Sequence, residues 1–216
     1  MMDDDVVLEA KGERLEVKGI DLLILPLRME SGSAKPSLLE RLQIAEYAAI
    51  QQLTIETAKR GHAVMCSGAN LIAKRDRWLE SYEDLHPEIP SGDDMFLLES
   101  FKRRGLKIAV NESKELTAIV RPHTSWSAFV KQRMRWASKA PIYKDKDILL
   151  CGAIVLGMNM LQLVCPAFVL IKFPIEYHLI NKRDKEISIF TALLLEVLYP
   201  FYMLICLIGG LWRRRW

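Results

Sequence analysis

The 216-residue chain carries 30 basic and 27 acidic side chains, and this net charge of +3, with no stretch interleaving basic and aromatic residues on one exposed strand, argues against a nucleic-acid partner. Its length would fit one ordinary domain, yet most of its charges precede Asp147: residues 148–171 hold none, and residues 187–212 hold only Glu196. Cys66, Cys151, Cys165 and Cys206 show no CxxC spacing, which excludes a zinc site or a disulfide framework as the organising feature.

The chain opens on Asp3, Asp4 and Asp5 followed by Val6, Val7 and Leu8, read as the end of a strand and a polar turn; no basic region and apolar run mark a signal peptide. Residues 21–26 (DLLILP) form a short continuous apolar run stopped by proline, the pattern of a buried strand. After a loop over 31–36, Ser37 and Glu40 make a capping-box pattern, and Leu38, Leu42, Ala45, Ala49 and Leu53 recur at helical spacing up to a stop near Gly61. Residues 63–66 and 71–73 are predicted as strands flanking the turn Ser67-Gly68-Ala69-Asn70. Pro87 and Pro90 mark a loop, and Ser91 is placed to cap a helix that runs to about Arg104 and is closed by Gly105, with Phe96, Leu97 and Phe101 facing inward. Strands over 106–110 and 117–120 and a helix over 126–139, capped by Ser125, complete a soluble part at 1–147.

A membrane part is expected at 148–212, with spans of about 148–171 and 187–212, followed by a basic tail at 213–216. A hydrocarbon core of about 30 Å needs roughly 20 apolar residues in a helix, and both stretches exceed that; a pair of buried core helices is the alternative. Lys131, Arg133, Arg135, Lys139, Lys144 and Lys146 precede the first span, and Arg213, Arg214 and Arg215 follow the second, so both flanks read as cytoplasmic. The intervening loop carries Lys172, Lys182, Arg183 and Lys185, which leaves room for a re-entrant or interfacial segment around 173–180. Glu196 is costly inside a span unless it meets a partner helix or a polar cavity.

Three clusters are candidates for chemistry, each with a plain structural alternative. Asp3 and Asp5, one residue apart where a strand gives way to a loop, could hold a hard divalent cation beside phosphate oxygens, or form a solvated acidic terminus. Asp93 and Asp94 at a helix start could include a general base for a sugar hydroxyl, or simply complement the helix dipole. Gln132, Arg135 and Trp136 share a helix face by i, i+3 and i+4 spacing, offering an amide, a fork for a diphosphate and a flat ring for a sugar. An interfacial helix with an anchoring tryptophan is the alternative there.

Taken in order, Asp3-Asp4-Asp5, Cys66-Ser67-Gly68-Ala69-Asn70-Leu71, Gly92-Asp93-Asp94 and Gln132 to Trp136 resemble the DxD, acceptor-side turn, ED-type and QxxRW motifs of the membrane-bound family 2 glycosyltransferases, the group that includes cellulose-, chitin- and hyaluronan-synthase-like enzymes. The resemblance implies an α/β fold, a Rossmann-like domain of the glycosyltransferase A type truncated at its N-terminus and followed by about two transmembrane helices. It implies inverting transfer from a nucleotide sugar to a lipid-linked or polysaccharide acceptor. Asp3 and Asp5 would hold a divalent cation, Mg or Mn, and Asp94 would be the base with Asp93 supporting it. Ser67, Gly68, Asn70, Gln132, Arg135 and Trp136 would line the donor and acceptor sites. The protein is then expected in the bacterial inner membrane, among its lipids, with the catalytic part cytoplasmic. Because the sugar-nucleotide half that precedes DxD in the family is missing from the sequence, this fragment is expected to be inactive. The competing reading is a noncatalytic membrane scaffold or interaction subunit derived from the same fold.

Overall fold

A computed structural model describes residues 7–10, 13–16, 18–89 and 91–212. In chain order the elements are β1 (Val7–Ala10), β2 (Glu13–Glu16), β3 (Leu22–Ile24), β4 (Leu27–Met29), α1 (Leu38–Lys59), β5 (Leu71–Ala73), α2 (Arg75–Glu80), α3 (Asp93–Arg103), β6 (Ile108–Val110), β7 (Ala118–Val120), α4 (Trp126–Ala137), α5 (Lys146–Val164), α6 (Val169–Arg183) and α7 (Ile189–Trp212). Two compact units draw on them, one from Met1–Leu27, Thr54–Ala118 and Tyr143–Leu149, the other from Arg28–Leu53, Ile119–Ile142 and Leu150–Trp216.

The first unit is mixed α/β. Its three-stranded sheet has β3 at the centre, antiparallel to β5 and parallel to β6, with Leu23 opposite Ile72 and Ala109. Because successive strand residues point to opposite faces, Leu22 and Ile24 enter a core with Cys66, Leu97, Leu98 and Phe101, while Leu23 and Leu25 pack with Ile20, Ile72 and Leu116 on the other side. The apolar stripe of α3 supplies much of the first core. This helix closes in a Schellman motif, with Leu106 N–H on the Phe101 carbonyl, Gly105 N–H on Lys102, and Gly105 at φ 66° where a side chain would be strained.

Two local expectations change here. Residues 63–66 bury Ala63, Val64 and Cys66 as a strand would, but form no ladder among the described residues. The Ala63 carbonyl is taken instead by Lys102 Nζ at 2.8 Å, which also pairs with Asp145 at 2.5 Å and Asp147 at 2.7 Å. The cap of α3 is Gly92 at φ 93° rather than Ser91, because the helix begins one residue later than the serine would need. The short α2 and a 3-10 turn over Tyr82–Leu85 occupy a stretch whose polar character gave no periodic signal.

The second unit is built on helices. The capping box at the start of α1 is present, with Ser37 N–H donating to Glu40 at 2.8 Å and Glu40 N–H to Ser37 Oγ at 3.3 Å. Leu42, Ala45 and Ala48 of α1 pack with Ile180 of α6 and with Ala192 and Leu195 of α7. The Gln43 amide both donates to the His123 carbonyl at 2.8 Å and accepts from His123 N–H at 2.9 Å, fixing the chain just before α4.

The uncharged run at 148–171 is not one helix. α5 ends at Val164, and a short 3-10 turn at Pro166–Phe168 leads into α6; Pro166 has no N–H with which to continue α5. Helices Lys146–Val164 and Ile189–Gly210, of 19 and 22 residues, are long and apolar enough to cross a membrane. In the second unit, Lys172 of α6 is buried and donates to Asn159 at 3.0 Å and Gln162 at 3.1 Å of α5, and pairs with Glu176 at 3.0 Å and Glu196 of α7 at 2.8 Å. Glu196 therefore has its charge partner on a neighbouring helix.

Candidate functional site

In the first unit, the turn after residue 66 closes through Asn70 N–H on the Ser67 carbonyl at 3.1 Å. Asn70 then spends both amide hydrogens inside the fold, on the Pro26 carbonyl at 2.7 Å and the Leu116 carbonyl at 2.8 Å. Its own carbonyl accepts from Leu25 N–H at 3.2 Å. The turn is thereby tied to the ends of β3, β5 and the segment before β7.

That turn meets the start of α3. Asp94 Oδ2 accepts from Gly68 N–H at 2.9 Å, and Oδ1 accepts from Met95 N–H at 2.8 Å. Each oxygen keeps a further lone pair for a ligand hydrogen. The Asp94 carbonyl accepts from the Cys66 thiol at 3.0 Å, which locks strand-like segment to helix. Burial pushes the Cys66 thiol well above its usual range, and the charges of Asp94 and Asp93 push it the same way. Asp94 is half-buried and Asp93 exposed, so of the adjacent carboxylates only Asp94 joins the turn. Ser67 and Gly68 lie at its mouth.

Tyr143 was not a sequence candidate, yet it belongs to this neighbourhood. Its ring packs against Phe96 with centroids 5.6 Å apart, and burial, followed by the charges of Asp94 and Glu99, raises its phenol above the ordinary value. It precedes α5 in a charged linker where nothing in the local pattern singles out one tyrosine.

In the second unit, α4 presents Gln132, Arg135 and Trp136. Ser125 caps this helix, its Oγ accepting from Ala128 N–H at 3.2 Å. The Trp136 ring is 41% exposed, and the Arg135 guanidinium makes no ion pair among the described residues. Beneath them, Arg133 is buried and pairs with Glu46 of α1 at 2.6 Å; the Tyr202 hydroxyl of α7 donates to the other Glu46 oxygen. Gly209 and Gly210 let α4 lie directly on α7: a Cβ at Gly210 would come within 2.7 Å of the Met134 carbonyl, and one at Gly209 would strike the Met134 side chain.

Asp3 and Asp5 lie outside the described residues. Among the described residues no three His, Cys, Asp or Glu side chains gather as a metal site requires.

The first unit is mixed α/β and holds a carboxylate at a turn beside its sheet; the second carries a helix bearing an amide, a guanidinium and an indole. The sequence model of the family described as "Glycosyltransferase like family 2" matches residues 17–139, more than half of the chain, and the chain belongs to that family. The matched residues include the Ser67–Asn70 turn, Asp93, Asp94 and Gln132 to Trp136, and leave out Asp3 and Asp5. No curated protein matches the chain. Family membership gives the domain a Rossmann-like α/β fold, a nucleotide-sugar donor, an acceptor and glycosyl transfer as its general activity.

Proposed function

We propose that this chain is an inverting glycosyltransferase of the membrane-bound, synthase-like kind, with Asp94 as the general base. The acceptor hydroxyl would attack the anomeric carbon of the donor sugar, the bond to the nucleoside diphosphate would break, and the hydroxyl proton would pass to Asp94. The observation that carries this reading is the Asp94 carboxylate, held by two backbone N–H groups, those of Gly68 and Met95, within the residues that the family model matches. Asp93 would support it from the exposed side. Ser67 and Gly68 would border the acceptor, with Asn70 setting the shape of the turn.

Gln132, Arg135 and Trp136 would bind the diphosphate and a sugar ring, the fork of Arg135 suiting phosphate oxygens and the indole suiting an apolar sugar face. A divalent cation would fall to Asp3 and Asp5. The acceptor would be lipid-linked or a polysaccharide at the cytoplasmic face of a bacterial inner membrane, with α5 and α7 as the spans.

The test is sugar transfer by membranes containing this chain in its full reading frame, supplied in turn with a panel of radiolabelled nucleotide sugars, beside an Asp94→Asn variant. Transfer from one donor, reduced about 10²- to 10⁴-fold in the variant, is the expected result. Equal transfer by both proteins removes Asp94 from the mechanism. No transfer from any donor, with folding verified and acceptors present, favours a scaffold subunit.

A further inference from the structure

We propose that Arg133, the second residue of the Gln132-Arg133-Met134-Arg135-Trp136 segment, is the positioning residue that sets the geometry of the other motif side chains. The inference rests on the reading of Gln132 and Trp136 as ligand-binding. Arg133 itself is only 6% exposed and cannot be a primary ligand contact. Its guanidinium carbon lies 4.2 Å from the centroid of the Trp136 ring and 4.9 Å from that of Phe129, so the cation meets two aromatic rings, each about one turn away from it along α4. Nη1 donates to Gln132 Oε1 at 3.2 Å, and Nη2 to Glu46 at 2.6 Å. Nε is buried with no hydrogen-bond partner among the described residues, leaving the two rings as what flanks it.

One planar cation thus touches two of the three proposed ligand-binding side chains. By occupying Gln132 Oε1 it leaves the amide NH₂, a donor, as the group for a phosphate or hydroxyl oxygen. By lying on one face of the indole it reserves the other for a sugar ring. Glu46 supplies the counter-charge that makes such a buried cation tolerable, and Tyr202 holds Glu46, so the orientation of the motif is set from α1 and from α7. Phe129 in turn packs on Tyr202 at 5.6 Å, closing the cluster. Lysine could replace the charge of Arg133 but not its plane or its second hydrogen-bonded fork.

The experiment uses the full chain in lipid nanodiscs, labelled with 5-fluorotryptophan, with the Trp136 resonance assigned from Trp136→Phe. Arg133→Lys keeps a cation for Glu46 without the stacking plane. Glu46→Gln combined with Arg133→Met removes both buried charges together, so that neither is orphaned if the single variant folds poorly. In both, the Trp136 fluorine line is expected to shift while that of Trp78 stays. Transfer from whichever nucleotide sugar is active is expected to fall about tenfold at an unchanged circular dichroism spectrum. A Trp136 line that does not move, or transfer at the wild-type rate in both variants, overturns the role of Arg133. Loss of transfer in Trp136→Ala beside full transfer in the Arg133 variants overturns this inference alone; full transfer in Trp136→Ala overturns the reading beneath it as well.

Discussion

The turn that holds Asp94 and the helix that carries Gln132 to Trp136 are positioned by opposite means. Main-chain amides aim the Asp94 carboxylate, and a side-chain amide, Asn70, pins the turn to neighbouring carbonyls. The motif helix α4 is instead fixed by one buried ion pair, two aromatic faces and a glycine-lined seat on α7. Backbone geometry survives most substitutions, whereas a buried charge fails as soon as its partner is lost. The two regions should therefore differ in how mutation reaches them.

The largest effect is expected at Glu46. Glu46→Ala leaves Arg133 charged and buried with its ion pair gone, a loss of about 3–5 kcal/mol on the scale for breaking one side of a buried pair. A thermal midpoint in detergent several degrees below wild type is the check. The paired Glu46→Gln, Arg133→Met protein should sit well above Glu46→Ala, because there no charge is stranded. If Glu46→Ala melts with the wild type, the pair does not hold α4, and the contrast between the regions collapses.

An intermediate effect is expected at Asn70. Asn70→Ala removes both side-chain bonds; the Pro26 carbonyl keeps the Ala118 N–H at 3.1 Å, while the Leu116 carbonyl is left short of a donor, a loss of about 1–3 kcal/mol. Asn70→Asp should be no better, since a carboxylate has no N–H to give. Denaturant midpoints measure both. Unchanged stability in Asn70→Ala would show that water replaces the amide, and that the turn is held by its backbone alone.

How much of this could be read from the sequence follows the range of the forces involved. Local signals were legible: Ser37 and Glu40 make their capping box, Ser125 caps α4, and Gly105 closes α3, because each depends only on residues within one turn. The apolar run at 21–26 gave the central strand β3 for the same reason. Non-local partners were not legible. Residues 63–66 look like a strand, but the Ala63 carbonyl is met by the side chain of Lys102, some forty residues on. Arg133 read as one more basic residue flanking a membrane span, since arginine is ordinarily exposed and nothing nearby in sequence names Glu46 as its partner. Gly209 and Gly210 gave no sign beyond their adjacency in a long apolar run; their meaning lies in Met134, which packs on them. Of the proposed ligand-binding residues, Asp94, Gly68, Gln132 and Trp136 were reachable by motif spacing, while the residues that hold them, Asn70's carbonyl partners and Glu46 among them, were not.

The smallest effect is expected at Gly68, and it separates backbone from side chain most directly. Gly68 contributes an N–H to Asp94, and a Cβ built there would meet Asp94 Cβ at 3.7 Å and Oδ2 at 3.9 Å, which is ordinary contact. Gly68→Ala keeps the N–H and fits the space that the protein itself leaves, so stability should stay within about 0.5 kcal/mol of wild type and Asp94 should keep its amide donor. Gly68→Pro removes the N–H, frees one oxygen of Asp94, and should lower transfer about tenfold, near the loss of one hydrogen bond to a charged group. Rates for the two variants, taken with their thermal midpoints, decide between two uses of the turn. Alanine tolerated and proline damaging means that the turn acts through its amide. Alanine as damaging as proline, at full stability, means that an acceptor passes so close to Gly68 that even a methyl group displaces it, and the turn would then be a wall of the binding site as well as the support of Asp94.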